Sequence, residues 1–279
     1  MTSSSVKDIQ NVWGRVLPDY VGSYTTKATS AHAPLDPAAA SSLRIRVTTT
    51  INEITRLGTS ECCSNVALSI TLSMLGDILD IVNIPDEFGL LADPRIIAGC
   101  VSLMTTVDVS PFHYDYGYVS FRILVLALNC CLLKHIGRLN HVMWRMKTML
   151  VSLRLQMFWE ESATMITAEV RGGAGLSDLF DSGTFNQYGL DRLLDLLHTS
   201  EKDFLVVMKS TKSIGLSGLM FVFSKQIEVE RSKHTDPIHL FQQLMQPFSR
   251  ILWRYLLAIP NLSSESEAIL AIHNQIAPM

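Results

Sequence analysis

No stretch of this chain stays apolar for the roughly twenty residues that a helix needs to cross a bilayer. The longest apolar run, Ile123 to Leu133, is 11 residues long, contains Asn129, and is closed by Arg122 and Lys134. A buried core helix is expected there, and no membrane span. The N-terminus lacks an apolar region behind a basic one, so no secretory signal is expected. A disulfide framework is missing as well. The five cysteines are odd in number and sit as Cys62-Cys63, Cys100 and Cys130-Cys131 in apolar, helix-like surroundings. They read as small buried hydrophobes of a reducing compartment, which places the chain inside the cell, in cytoplasm or nucleus.

Catalytic signatures are equally scarce. The sequence contains no HExxH, no phosphate-binding GxxxxGK[ST] and no CxxC. Gly172-Gly173-Ala174-Gly175 follows a helical pattern where a dinucleotide fingerprint would follow a strand. Gly215-Leu216-Ser217-Gly218 lacks both the spacing and the strand of a nucleophile elbow. No cofactor is expected on these grounds. Nucleic acid is disfavoured too, because the 279 residues carry a net charge of −3 and no basic patch interleaved with aromatics.

What is present is apolar mass with helical punctuation. Hydrophobic residues make up 48% of the chain. At 31.1 kDa, surface scaling allows nearly three-quarters of the extended chain's area to be buried, leaving about 12,000 Å² of roughly 45,000 Å² exposed. Asp36-Pro37, Asp93-Pro94, Ser110-Pro111 and Asp236-Pro237 each set a capping side chain before a proline whose missing N–H costs nothing at a helix start. Leu190, Leu193, Leu194 and Leu197 follow the spacing of a half-buried helix. Val142, Met146, Met149, Leu150, Leu153 and Met157 form a longer stripe of the same kind. Leu43-Arg44-Ile45-Arg46-Val47 alternates like a strand, yet Leu43, Val47, Ile51 and Ile54 also fit a helix opened by Asp36-Pro37, and helix is the reading adopted.

The chain is thus expected to be all-α. Ten to eleven helices are placed at 5–17, 37–57, 61–83, 94–107, 112–136, 138–169, 188–198, 201–213, 215–232, 237–258 and 264–277. They would form an irregular armadillo- or HEAT-like stack or a multi-helical bundle without a β-sheet. Residues 1–36 are expected as a loosely ordered segment with one short helix, and 37–279 as one helical domain, divided into two halves near 170–187.

The charge layout is the least expected feature. Residues 60–115 carry a net charge of −7 and residues 160–203 a net charge of −6. Between them, residues 116–159 hold Arg122, Lys134, Arg138, Arg145, Lys147 and Arg154 and no acid at all. One reading is internal, with a basic helix pair packed between acidic neighbours. The other is a basic groove for an acidic protein partner, built from Arg138, Arg145, Lys147 and Arg154. Five aromatics crowd residues 111–121. Tyr114, Tyr118 and Phe121 share a face with Val125 and suit a core, while Tyr116 falls outside it and is the candidate partner anchor. Met143, Met146, Met149, Met157 and Met165 fall at the spacing of core filling.

Two resemblances complete the reading. Asp77 and Asp80, in Gly-Asp-Ile-Leu-Asp, together with Arg254-Tyr255, resemble parts of the motifs of class I terpene synthases, which are all-α. That resemblance implies a divalent-metal site at Asp77 and Asp80. The adjacent extra acid and the second metal-binding motif are missing. Separately, the run from Pro111 through Cys131, Gly215 to Phe223, and Arg250 to Tyr255 resemble a lineage-restricted group of helical proteins from mushroom-forming basidiomycete fungi. This likeness covers under a fifth of the chain and brings no activity with it. Two functions follow as expectations: a non-enzymatic protein-interaction module, or an all-α enzyme using the paired aspartates.

Overall fold

Aspartate before proline starts helices here as the physical chemistry requires. The Asp36 carboxylate accepts a hydrogen bond from the Ala39 amide (2.8 Å), and Pro37 occupies the first turn of α1, Pro37–Leu57. Asp93 does the same for α3, Pro94–Thr105, accepting from the Arg95 amide at 3.0 Å. A computed structural model describes residues 12–17, 35–59, 69–107, 110–172, 190–200, 202–204, 218–219 and 222. Among the described residues, further α-helices are α2 (Leu72–Leu79), α4 (Asp115–His135), α5 (Leu139–Thr148), α6 (Val151–Gly172) and α7 (Leu190–Thr199). Two 3-10 segments, Asp80–Asn83 and Pro85–Leu91, join α2 to α3. Among the described residues no β-strand is present, and the one β-type contact is an isolated bridge between Val16 and Tyr114. The all-α expectation holds for this part of the molecule. The expected helices at 215–232, 237–258 and 264–277 and the divide at 170–187 lie largely or wholly outside the described residues.

The alternating segment at 43–47 is helical. Leu43, Val47, Thr50, Ile51, Ile54 and Leu57 are the buried residues of α1, a three-and-four spacing. Helix α1 packs on α2 and α3, and α3 on α4. The crossing of α1 and α3 is close because position 99 is glycine: a Cβ there would overlap the backbone carbonyl of Ile54. Helix α4 is the centre of the core, in contact with α2, α3, α5, α6 and the Pro85–Leu91 segment. By length and composition it could cross a membrane, but 94% of its most apolar window is buried inside the fold. Phe112, Phe121 and Phe204 stack around its N-terminal half with ring centroids 5.0–5.6 Å apart. Its C-terminus ends in a Schellman motif. Gly137 takes the left-handed conformation (φ 69°), while the Gly137 and Arg138 amides donate to the carbonyls of Lys134 and Leu133.

Four sequence expectations need correction. The helix expected over 61–83 is interrupted, Thr71 standing extended (ψ 161°) as the N-cap of α2. Ser110-Pro111 does not start α4. Ser110 forms a turn, its hydroxyl accepting from the Phe112 amide and its carbonyl from the His113 amide, and the helix begins at Asp115 with Tyr114 as its N-cap. The loop expected between 83 and 94 is mostly 3-10 helix. The single helix expected over 138–169 is two. Met149 is extended (ψ 153°), and α6 restarts at Val151. No proline or glycine causes that break. It is held from outside, because the Arg154 guanidinium donates to the carbonyls of Met149 (3.3 Å), Val82 (3.4 Å) and Asn83 (3.5 Å), tying the break to the end of the first 3-10 segment.

The N-terminal segment contributes to the core. Leu17 is fully buried, and its amide donates to His113. The buried Asp115 carboxylate accepts from both the Arg15 amide (3.1 Å) and its guanidinium (3.2 Å). Trp13 meets Tyr116 edge-on at 5.1 Å.

Candidate functional site, the basic edge of α4 to α6

The acid-free stretch 116–159 folds into α4, α5 and the start of α6, and its cations meet different fates. Arg122 lies over the Tyr118 ring, 5.9 Å from the centroid. The Lys134 ammonium reaches the Ala92 carbonyl at 3.5 Å. Arg145 pairs with Glu161 at 3.0 Å, and Lys147 pairs with Asp86. Those two acids belong to the two flanking acidic segments, so α5 is stapled to both neighbours by charge. All four of these side chains stay substantially exposed except Glu161, which limits each pair to a small contribution, about 0–1 kcal/mol. Arg154 is spent on three carbonyls and is half-buried. Arg138 stands exposed just beyond the Gly137 turn, with no acid against it among the described residues.

Tyr116 is in the interior, only 1% exposed. Its hydroxyl donates to the Ile70 carbonyl at 2.9 Å. Burial, with Cys100 nearby, pushes its phenol well above the ordinary tyrosine value, so it stays a protonated donor. Helical periodicity left Tyr116 off the core face only because that face presupposes a wet side, and the first turns of α4 have none. Every residue from Asp115 to Phe121 is buried.

Of the two aspartates, Asp77 is engaged by an arginine. Both Asp77 oxygens accept from the Arg46 guanidinium, at 2.9 and 3.1 Å. That hydrogen bond, with the Asp77 charge behind it, raises the Arg46 pKa. Helix α2 ends at Leu79, so Asp80 already belongs to the 3-10 segment. Among the described residues no group of three or more His, Cys, Asp or Glu side chains converges as metal ligands would. Arg254-Tyr255 lies outside the described residues. The thiols of Cys100, Cys130 and Cys131 are fully buried or nearly so. Burial pushes all three up, Cys131 to about 12, which keeps them protonated and inert.

The feature that sequence reasoning missed is apolar. Trp144 is 61% exposed, Leu150 72% and Leu153 43%. Leu150 and Leu153 were expected on a continuous buried stripe with Val142, Met146 and Met157. Val142, Met146 and Met157 are buried as expected, but the break at Met149 and Leu150 resets the helical phase and turns the two leucines outward. Trp144 carried a usable signal, since it lies off the Val142–Met146 face and among cations. Met143, Met149 and Met165 are half-buried against the core, as filling. The chain matches no known protein family, no curated protein and no solved structure.

Proposed function

We propose that this chain is a non-enzymatic protein-interaction module, a helical scaffold whose α5–α6 edge recruits an acidic protein partner inside the cell. The observation that carries this reading is that three large apolar side chains, Trp144, Leu150 and Leu153, stand exposed on α5 and at the start of α6. Tryptophan and arginine dominate the energetics of protein interfaces, and three large exposed apolar side chains within ten residues of sequence make this stretch the candidate surface. Of the sequence candidates, Arg138, Arg145 and Lys147 support the reading by lying at or along α5, Arg145 and Lys147 being paired to Glu161 and Asp86. Arg154 and Tyr116 support it from within, one by holding the break that exposes the leucines and the other by fixing the start of α4. The enclosure of α4 supports an irregular multi-helical bundle over an open armadillo- or HEAT-like stack, because a stack leaves each helix one outer face. Geometry favours the module over the paired-aspartate enzyme, since Asp77 is committed to Arg46.

The test is chemical crosslinking of the affinity-tagged full chain in a lysate of a mushroom-forming fungus, the source that the resemblance suggests. Crosslinked peptides are identified by mass spectrometry. The expected result is a reproducible partner enriched at near-equal stoichiometry. A chain recovered without a partner in repeated experiments, together with turnover of a metal-dependent substrate that is lost in Asp77→Asn, would replace the module with the enzyme.

A further inference from the structure

Residues 13–17 are held against the start of α4 in the way a bound peptide is held. Main chain meets main chain. The Leu17 amide donates to the His113 carbonyl at 2.8 Å, the Asp115 amide donates to the Arg15 carbonyl at 3.1 Å, and Val16 bridges to Tyr114 between them. The side chains alternate. Trp13 lies edge-on to Tyr116 and Leu17 is fully buried, while the exposed Arg15 turns back onto the Asp115 carboxylate. Such pairing, with alternate side chains seated in the receiving surface, is how an extended peptide is recognised by strand addition.

The surface also selects a sequence. Gly14 is left-handed (φ 80°), and a Cβ there would come within 2.7 Å of the Leu72 side chain and 2.8 Å of the Asp115 Cβ. Glycine alone suits that position. With Trp one place before and Leu three places after, the fitted pattern is Trp-Gly-x-x-Leu. Trp-Gly occurs once in the 279 residues. The other aromatic-glycine pairs, Phe88-Gly89, Tyr116-Gly117 and Tyr188-Gly189, place Ala92, Ser120 and Arg192 where Leu17 stands. No other stretch of the chain fits, and the molecule sure to carry the pattern is another copy.

Nothing in these contacts reads which copy the segment comes from. Each joins residues 13–17 to Leu72 or to residues 113–116, whereas α1 starts only at Pro37. The 19 residues between Leu17 and Pro37 would reach about 65 Å at full extension. A compact chain of this length is about 48 Å across. A tether of that reach serves the α4 of its own chain or that of a neighbour.

We propose that the N-terminal segment is an exchangeable arm. Residues Trp13 to Leu17 of one copy dock on the start of α4 in a second copy, and reciprocally, giving an arm-swapped dimer. Every bond given up within a chain is regained between chains. Concentration therefore sets the balance, with a midpoint near the effective concentration of the tethered arm, on the order of 1 mM. This self-association goes beyond the interaction-module reading and does not depend on it.

The test mixes light and heavy-isotope full chains carrying Arg15→Lys at about 1 mM. A carbodiimide then joins each amine to the carboxylate it touches. Mass spectrometry reads whether position 15 is linked to Asp115 of its own isotope or of the other. Mixed links should make up at least a tenth of the total and fall at least fivefold on dilution to about 10 µM. Links confined to one isotope at the higher concentration would overturn the proposal. A second measurement needs no substitution in the chain. Sedimentation velocity over the same range is run with and without an excess of a synthetic peptide covering Asn11 to Asp19. A dimer that grows with concentration, and that the peptide reduces at least threefold, is the expected result. Absence of a dimer, or a dimer that the peptide and its Gly14→Ala form affect equally, would show that the arm does not exchange.

Discussion

Helices α4 and α5 follow one another in the chain and draw on the same acid-free segment, yet they face opposite environments. Helix α4 buries 18 of its 21 residues. Helix α5 buries three of its ten, Leu139, Val142 and Met146. The difference does not come from charge, since both carry cations near their C-termini, where the helix dipole favours them. It comes from neighbours. Helix α4 is enclosed by α2, α3, α6 and a 3-10 segment, so even its polar side chains must bond inward. Ser120 donates to the Tyr116 carbonyl at 2.8 Å and Asn129 to the Val125 carbonyl at 2.9 Å. Helix α5 rests on α6 and the Pro85–Leu91 segment and leaves its far side wet. One helix supplies stability and the other supplies surface.

That contrast is sharpest in a pair of aromatic truncations. Phe121→Ala removes a fully buried ring from between Phe112 and Phe204. It should cost about 3–5 kcal/mol and lower the melting temperature by roughly 8 °C. Trp144→Ala should change stability by less than about 0.5 kcal/mol. Urea denaturation of both variants checks this, and comparable losses would erase the distinction between core and edge. Next in size is Gly99→Ala. Its new methyl meets the Ile54 carbonyl, which is backbone and cannot rotate away, so α1 and α3 must separate at a cost of about 1–3 kcal/mol. The same change at Gly76, where nothing lies within 4 Å, should be neutral or slightly stabilising.

A smaller effect tests electrostatics between the two regions. The hydrogen bonds from Arg95 hold the Asp93 carboxyl below its ordinary value, with Lys134 adding to the effect. A lowered folded pKa means that the carboxylate contributes stability above the unfolded value of about 3.9, and loses it as pH falls through the lower folded value. Asp93→Ala should cost about 1 kcal/mol at neutral pH through the lost cap. The wild-type advantage over Asp93→Asn, which can still cap, should shrink as the pH drops below about 4. An advantage independent of pH would show that the charge is irrelevant there. Smallest of all is Lys147 with Asp86. A double-mutant cycle to alanine should return less than about 1 kcal/mol, and less still in high salt. A larger coupling would mean that the pair ties α5 to the Pro85–Leu91 segment more tightly than its exposure allows.

Much of this architecture was legible beforehand. Asp36-Pro37 and Asp93-Pro94 placed two helix starts to the residue, because a capping carboxylate and a proline act within one turn and need nothing else. The opposite charges of neighbouring segments anticipated that α5 would be paired to both sides, as Arg145 with Glu161 and Lys147 with Asp86 now are. The site was harder to read. Tyr116 looked exposed because periodicity assigns each helix an outside, and Leu150 looked buried because a stripe was followed across a break that no local residue announces.

The amino-acid order alone determined that coils build the interior, where several of them begin, and that cations and acids would alternate along the chain, since caps, apolar spacing and charge are properties of near neighbours. Only the packed molecule decided where α5 ends and which apolar side chains meet water. Those outcomes hang on Arg154 reaching the carbonyls of Val82 and Asn83, some seventy residues away in sequence, and a contact of that span is invisible to any window of local pattern.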